Sequence, residues 1–174
     1  QSVVVSALAV DSSNPNQIYA GTSRGVARTS DAGATWSTDI AALPTSAGLA
    51  PAIAVSSVLS LAIDPVDPTN VYAGTAQGLF KSLDAGKRWF LSSPGFDIVT
   101  TRTIAIDPVN PAILYAGGDL GVYKSTNGAV TWSSLNNSLG NIFVRALAVD
   151  PLTPTTIYAA TAGGVSLSRG LRYW

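Results

Sequence analysis

One segment recurs four times along this chain, each time in the same internal register. Asp11, Asp64, Asp107 and Asp150 are each followed eight residues later by a tyrosine (Tyr19, Tyr72, Tyr115, Tyr158), and the segments close on Trp36, Trp89, Trp132 and Trp174. The intervals from Asp to Asp are 53, 43 and 43, and the Tyr intervals are the same. A unit of about 43 residues made of short strands cannot bury its apolar face alone, whereas stacked copies can, which is the arithmetic of propeller blades. The expected fold is therefore all-β: four repeats of four antiparallel strands, sixteen in total, with blades at about 3–40, 56–92, 100–135 and 143–174 in one propeller domain or part of a larger one.

Within each repeat the strands follow from short apolar runs and the residues that interrupt them. Runs ending at Val10, Ile63, Ile106 and Val149 are predicted as the first strand, A. Asp-Pro-x-x-Pro follows in three copies, with Asp11 and Pro15 keeping the spacing in the other. Proline fixes φ and cannot donate to a ladder, and aspartate bonds amides ahead of it, so this is the A–B turn. Strand B is expected at 18–22, 71–75, 114–117 and 157–161, where small residues after the tyrosine allow neighbouring backbones to approach. A tight turn then leads into strand C, starting at Gly25, Gly78, Gly121 and Gly164.

The turn from C to D is the most specific motif. Thr29-Ser30-Asp31-Ala32-Gly33-Ala34-Thr35-Trp36 and Ser82-Leu83-Asp84-Ala85-Gly86-Lys87-Arg88-Trp89 both read S/T-x-D-x-G-x-x-W. Here the chain resembles the Asp-box, or bacterial neuraminidase repeat, propellers, a group that spans sialidases, xyloglucan-hydrolysing glucanases, sortilin-type receptors and a photosystem II assembly factor. Val71-Tyr72-Ala73-Gly74-Thr75 and Gly78-Leu79-Phe80-Lys81-Ser82 look most like the glucanase and assembly-factor members. The third copy departs from the pattern, with Ser125, Asn127 and Trp132 in place but Asn for Asp and the glycine shifted; the fourth is one residue short and lacks the Asp. The turn is expected to be structural: the Asp oxygen accepts amides, Gly33 and Gly86 take positive φ, and the tryptophans pack between blades. Asp31 and Asp84 lack the further ligands that a calcium loop needs, so no metal role is assigned to them.

Composition removes much of catalytic chemistry. There is no His, no Cys and, since all ten acids are Asp, no Glu, which excludes imidazole bases, thiolate sites, disulfides and a Glu-assisted sialidase mechanism. No nucleotide fingerprint is present and no cofactor is expected. A net charge of zero gives no electrostatic case for nucleic acid. Charged residues make up 11%, against about 25% in typical soluble domains, so much of the surface is apolar or neutral. The one long uncharged stretch, 40–63, is interrupted by Pro44 and Pro51 and ends in a predicted strand, so no membrane span is assigned.

In an up-and-down blade the A–B and C–D turns share one face, and the variable B–C and D–A connections share the other. The candidate binding face therefore comprises Arg24, Asp39, Gln77, Phe96, Asp97, Arg102, Asp119, Phe143 and Arg145, joined by Asn136 and Asn137. The expected function is a non-catalytic scaffold or interaction module, with a partner protein or further blades as its neighbours and an extracellular, cell-surface or periplasmic location. The alternative is a carbohydrate-binding or xyloglucanase-like module using Asp39, Asp97 or Asp119 as carboxylates. The chain begins in strand A and ends at Trp174 in strand D without an exchanged strand, so four blades are expected to be a segment of a longer propeller or a subunit with buried faces.

Overall fold

The computed structural model describes residues 2–37, 57–92, 100–136 and 142–169. Among these lie fourteen strands in four antiparallel sheets and no α-helix. The first sheet contains β1 (Val5–Val10), β2 (Ile18–Thr22) and β3 (Gly25–Thr29). The second contains β4 (Val58–Ile63), β5 (Val71–Thr75), β6 (Gly78–Ser82) and the short β7 (Phe90–Leu91). The third repeats this with β8 (Thr101–Ile106), β9 (Leu114–Gly118), β10 (Gly121–Ser125) and β11 (Ser133–Ser134). The fourth has β12 (Val144–Val149), β13 (Thr156–Thr161) and β14 (Gly164–Arg169). Of the sixteen expected strands, the fourth strands of the first and last sheets are missing from this set. The first sheet shows only the start of one, as the Ser37 amide donates to the Arg28 carbonyl at 2.8 Å, and residues 170–174 of the last, with Trp174, lie outside the described residues.

The aspartate before each A–B turn acts alike in all four copies. Its Oδ1 accepts the amides two and three residues ahead, at 2.8 and 3.2 Å for Asp11, 2.8 and 3.0 Å for Asp64, 2.9 and 3.0 Å for Asp107, and 2.9 and 3.1 Å for Asp150. The A–B and C–D turns meet on one face, as expected: the amides of Ala32, Ala85 and Gly128 donate to the carbonyls of Asn16, Thr69 and Ala112.

Sheets stack in chain order, β1 against β4, β4 against β8 and β8 against β12. Each junction joins the trailing face of one sheet to the leading face of the next. Tyr19 and Val26 of the first sheet pack with Leu61, Ile63 and Trp89 of the second. Tyr72 and Leu79 pack with Ile104, Ile106 and Trp132, and Tyr115 and Val122 with Leu147 and Val149. A cation on strand C ties two of these junctions, Arg28 donating to the Ala85 carbonyl at 3.2 Å and Lys81 to the Gly128 carbonyl at 2.9 Å.

The predicted place of the tryptophans between sheets holds for two of the three described. Trp89 and Trp132 are 5% and 6% exposed, but Trp36 is 40% exposed. Its leading face has no preceding sheet against it, and Leu8 and Val10 on the same face are exposed as well. At the other end Tyr158 and Val165, on the trailing face of the fourth sheet, are exposed although their counterparts in the first three sheets are buried. The described sheets therefore form an open arc.

Close approach at each junction depends on a glycine in strand B. A Cβ on Gly74 would stand 2.6 Å from the Thr101 carbonyl oxygen and collide with Ser60, and a backbone atom cannot swing aside. Gly74→Ala is therefore expected to lower stability by about 1–3 kcal/mol, as overpacking does. Urea unfolding of the two proteins measures it, and an unchanged midpoint would mean that the second and third sheets are farther apart than this contact requires.

Candidate functional site

The C–D turns are frameworks of local hydrogen bonds. In the first, the Thr29 hydroxyl accepts the amides of Asp31 (3.2 Å) and Gly33 (3.1 Å) and donates to Asp31 Oδ1 (2.6 Å), which also accepts the Thr35 amide (2.9 Å). In the second, Ser82 accepts the amides of Asp84 and Gly86, and Asp84 Oδ1 accepts those of Lys87 (3.0 Å) and Arg88 (2.8 Å). In the third, Ser125 accepts the amides of Asn127 and Ala129, and Asn127 Oδ1 accepts those of Val130 (3.2 Å) and Thr131 (2.9 Å). An amide oxygen thus replaces the carboxylate as acceptor. Gly33 and Gly86 take positive φ as expected, and in each of the three described turns a second, adjacent residue shares it: Ala32 and Gly33, Ala85 and Gly86, Gly128 and Ala129. The shifted glycine of the third copy therefore stays within the left-handed pair and keeps the turn intact.

These carboxylates are occupied by the turn. Hydrogen bonds from Thr29, then Thr35, hold the Asp31 pKa down to about 2. Burial pushes the Asp84 carboxyl up, but the Arg88 amide, the Ser82 hydroxyl and the Lys87 amide outweigh it, and its pKa is lowered.

The opposite face is shaped by a β-bulge in every strand A. Register shifts fall between Val5 and Ala7, Val58 and Ser60, Thr101 and Thr103, and Val144 and Ala146. The extra residue is Ser6, Leu59, Arg102 or Arg145, always five before the repeat's Asp. A bulge releases one side chain from the ladder and re-aims it. Sequence reading missed the bulges, yet the signal was there: this position varies among Ser, Leu and Arg while its neighbours stay small or β-branched.

Three of these bulge residues meet at one mouth. Leu59, Arg102, Phe143 and Arg145 line a cavity of about 400 Å³. The Arg102 guanidinium lies 4.8 Å from the centre of the Phe143 ring and that of Arg145 lies 5.8 Å from it, within cation–π range. Arg102 Nε also donates to Asp119 Oδ1 at 2.8 Å, and this bond is the first cause of the lowered Asp119 pKa. Arg145 is exposed and forms no ion pair among the described residues.

Four of the expected binding-face residues, Arg102, Asp119, Phe143 and Arg145, are thus brought together. Arg24 and Gln77 sit at the tips of the β2–β3 and β5–β6 turns, outside the lining of this cavity. Asn136 has a structural task instead: its Oδ1 accepts the Val122 amide and its Nδ2 donates to the Leu120 carbonyl, bracing the β9–β10 turn. Asp39, Phe96, Asp97 and Asn137 lie outside the described residues. No group of three or more His, Cys, Asp or Glu side chains suited to a metal occurs among the described residues, and no helix there is long and apolar enough to cross a membrane.

Comparison with solved structures places the fold among β-propellers. An ancestral GH74 enzyme superposes with a TM-score of 0.74 at 20% identity, over 95% of this chain and 22% of that one. The extracellular domain of the two-component system BT4673 from B. thetaiotaomicron gives 0.72 at 24%, over 95% and 21%. YCF48 from Cyanidioschyzon merolae gives 0.62 at 16%, over 95% and 53%. The chain spans about a fifth of the first two structures and about half of the third. No protein-family model and no curated protein sequence matches the chain.

The turn chemistry fixes a pH response. A carboxylate whose folded pKa is depressed adds stability that is fully present above its unfolded value, about 3.9, and is lost as pH falls through the folded one. For Asp31 that window runs from about 3.9 down to about 2. Carboxyl NMR titration is expected to give a midpoint near 2 for Asp31, and a midpoint in the ordinary Asp range would show that the Thr29 and Thr35 bonds do not form in solution. Ser82→Ala, which removes a fully buried hydroxyl serving two amides, is expected to cost about 1–3 kcal/mol in urea unfolding.

Proposed function

We propose that this chain is a non-catalytic Asp-box propeller module that holds a segment of a partner protein at the mouth formed by Leu59, Arg102, Phe143 and Arg145. The observation that carries this reading is Arg145, an exposed guanidinium set over Phe143, without an ion pair among the described residues and lining a cavity of about 400 Å³. Arg102 is held by Asp119 and by the ring, so it braces the wall, and Arg145 is the guanidinium proposed to meet the ligand. A guanidinium beside an aromatic and a leucine suits a carboxylate flanked by apolar groups, such as an acidic residue or a chain terminus of an extended peptide. The likeness of this fold to a YCF48 structure bound to D1 peptide, with a TM-score of 0.62 at 15% identity, supports a protein ligand.

The xyloglucanase-like alternative rests on Asp39, Asp97 and Asp119. Asp119 is poorly suited to be the general acid, because a glycosidase acid needs a raised pKa and Arg102 lowers this one. An extracellular or periplasmic setting accords with the extracellular bacterial sensor domains among the structural neighbours.

Screening a displayed peptide library and a glycan array containing xyloglucan against the purified chain tests the proposal. Enrichment of peptides with a carboxylate beside apolar residues is expected, weakened about tenfold or more by Arg145→Ala with the melting temperature unchanged. Selective glycan binding or release of xyloglucan oligosaccharides, without peptide enrichment, would overturn it.

A further inference from the structure

Both ends of the arc expose a face that is buried elsewhere in the same molecule. On the leading face of the first sheet, Leu8 and Val10 are 65% and 54% exposed, and Trp36 stands open beside them. The trailing face of the fourth sheet exposes Tyr158 and Val165, at 41% and 73%. Their counterparts, Leu61, Ile63 and Trp89 on one side and Tyr19 and Val26 on the other, form the first internal junction. A partner that covers both ends at once must present one leading and one trailing face of this register, and a second copy of the chain carries both. We propose that two copies associate head to tail, each laying the trailing face of its fourth sheet on the leading face of the other's first sheet, so that two sets of four sheets close one ring.

Two substitutions make this junction a weaker version of the internal ones. Where Gly21, Gly74 and Gly117 allow close approach, the fourth sheet has Ala160. A Cβ on Gly21 or Gly117 would stand 2.6 or 2.7 Å from a methyl of Val58 or Val144, and the residue that takes their place here is Val5 of the other copy. A valine methyl can turn away where a backbone carbonyl cannot, so the contact loosens without being blocked. The strand C cation is also missing: the register pairs Tyr158 with Leu167, where Tyr72 pairs with Lys81.

Light scattering of the 174-residue chain over a concentration series is expected to show a reversible dimer at twice its 17.8 kDa. Leu8→Asp and Val165→Asp, at opposite ends of the arc, should each raise the dissociation constant at least tenfold while circular dichroism stays unchanged. Ala160→Gly should tighten the dimer several-fold, the reverse of the loss that glycine in a strand interior brings by itself. A monomer at every concentration, an open ladder of masses, or a dimer sensitive to only one of the two Asp substitutions would overturn the proposal. The first result would leave both ends to other partners, the second would deny closure, and the third would make the contact isologous.

Discussion

The closeness of strand B in one sheet to strand A in the next governs the rest of this structure. At Gly21, Gly74 and Gly117 the gap is too small for a Cβ, so the sheets approach until tyrosine and tryptophan rings fill the space around the contact. With the interior packed at crystal-like density, a one-carbon change at these positions is felt across the junction. The Asp-centred turns then hold the strands of each sheet at a common height, and the cations of strand C link a sheet to the C–D turn of its neighbour. Removing an Asp oxygen acceptor weakens one turn, whereas widening a junction separates two sheets. The third copy tolerates Asn127 because its amide oxygen keeps the acceptor role, while Gly74 has no such latitude.

Much of the fold was legible in the sequence because its determinants are local and repeated. Asp at a fixed distance before Tyr specifies a turn whose acceptor is the same carboxylate oxygen four times over, and the Pro residues beside it forbid continued pairing. What was not legible depended on neighbours. Trp36 matches Trp89 and Trp132 in its local sequence, yet only a preceding sheet can bury it, and none of the described sheets packs there. The left-handed pair in the C–D turn was likewise hidden, since Ala32 and Ala85 take positive φ through the hydrogen bonds around them despite the cost of a Cβ in that conformation.

The mouth was half legible for a similar reason. The position of the connections in an up-and-down blade pointed to Arg102, Asp119, Phe143 and Arg145 as residues of one face, but not to their convergence. Convergence comes from the bulges. In a regular strand, Arg102 and Arg145 would alternate to one side of their sheets, whereas the extra residue in the ladder lets them reach the same phenylalanine from adjacent sheets. Asn136 shows the opposite outcome: a polar side chain in a variable connection, suited by type to ligand binding, is engaged in holding a hairpin.

The bulge also explains how one scaffold can carry different chemistry at each blade. The other positions of strand A are held by the ladder on their backbone and, where sheets stack, by a neighbouring sheet on their side chains. The bulged residue escapes both, and it is occupied by serine, leucine, arginine and arginine in chain order. Substitution there changes the mouth at little expense to the fold, so the polarity of the mouth can be set blade by blade. In this chain it runs from the apolar Leu59 to two guanidiniums, one paired with Asp119 and one without an ion pair among the described residues. A ligand with a single anionic group and an apolar flank matches that gradient in one orientation only, because reversing it would place the anion against Leu59 and leave Arg145 facing hydrocarbon.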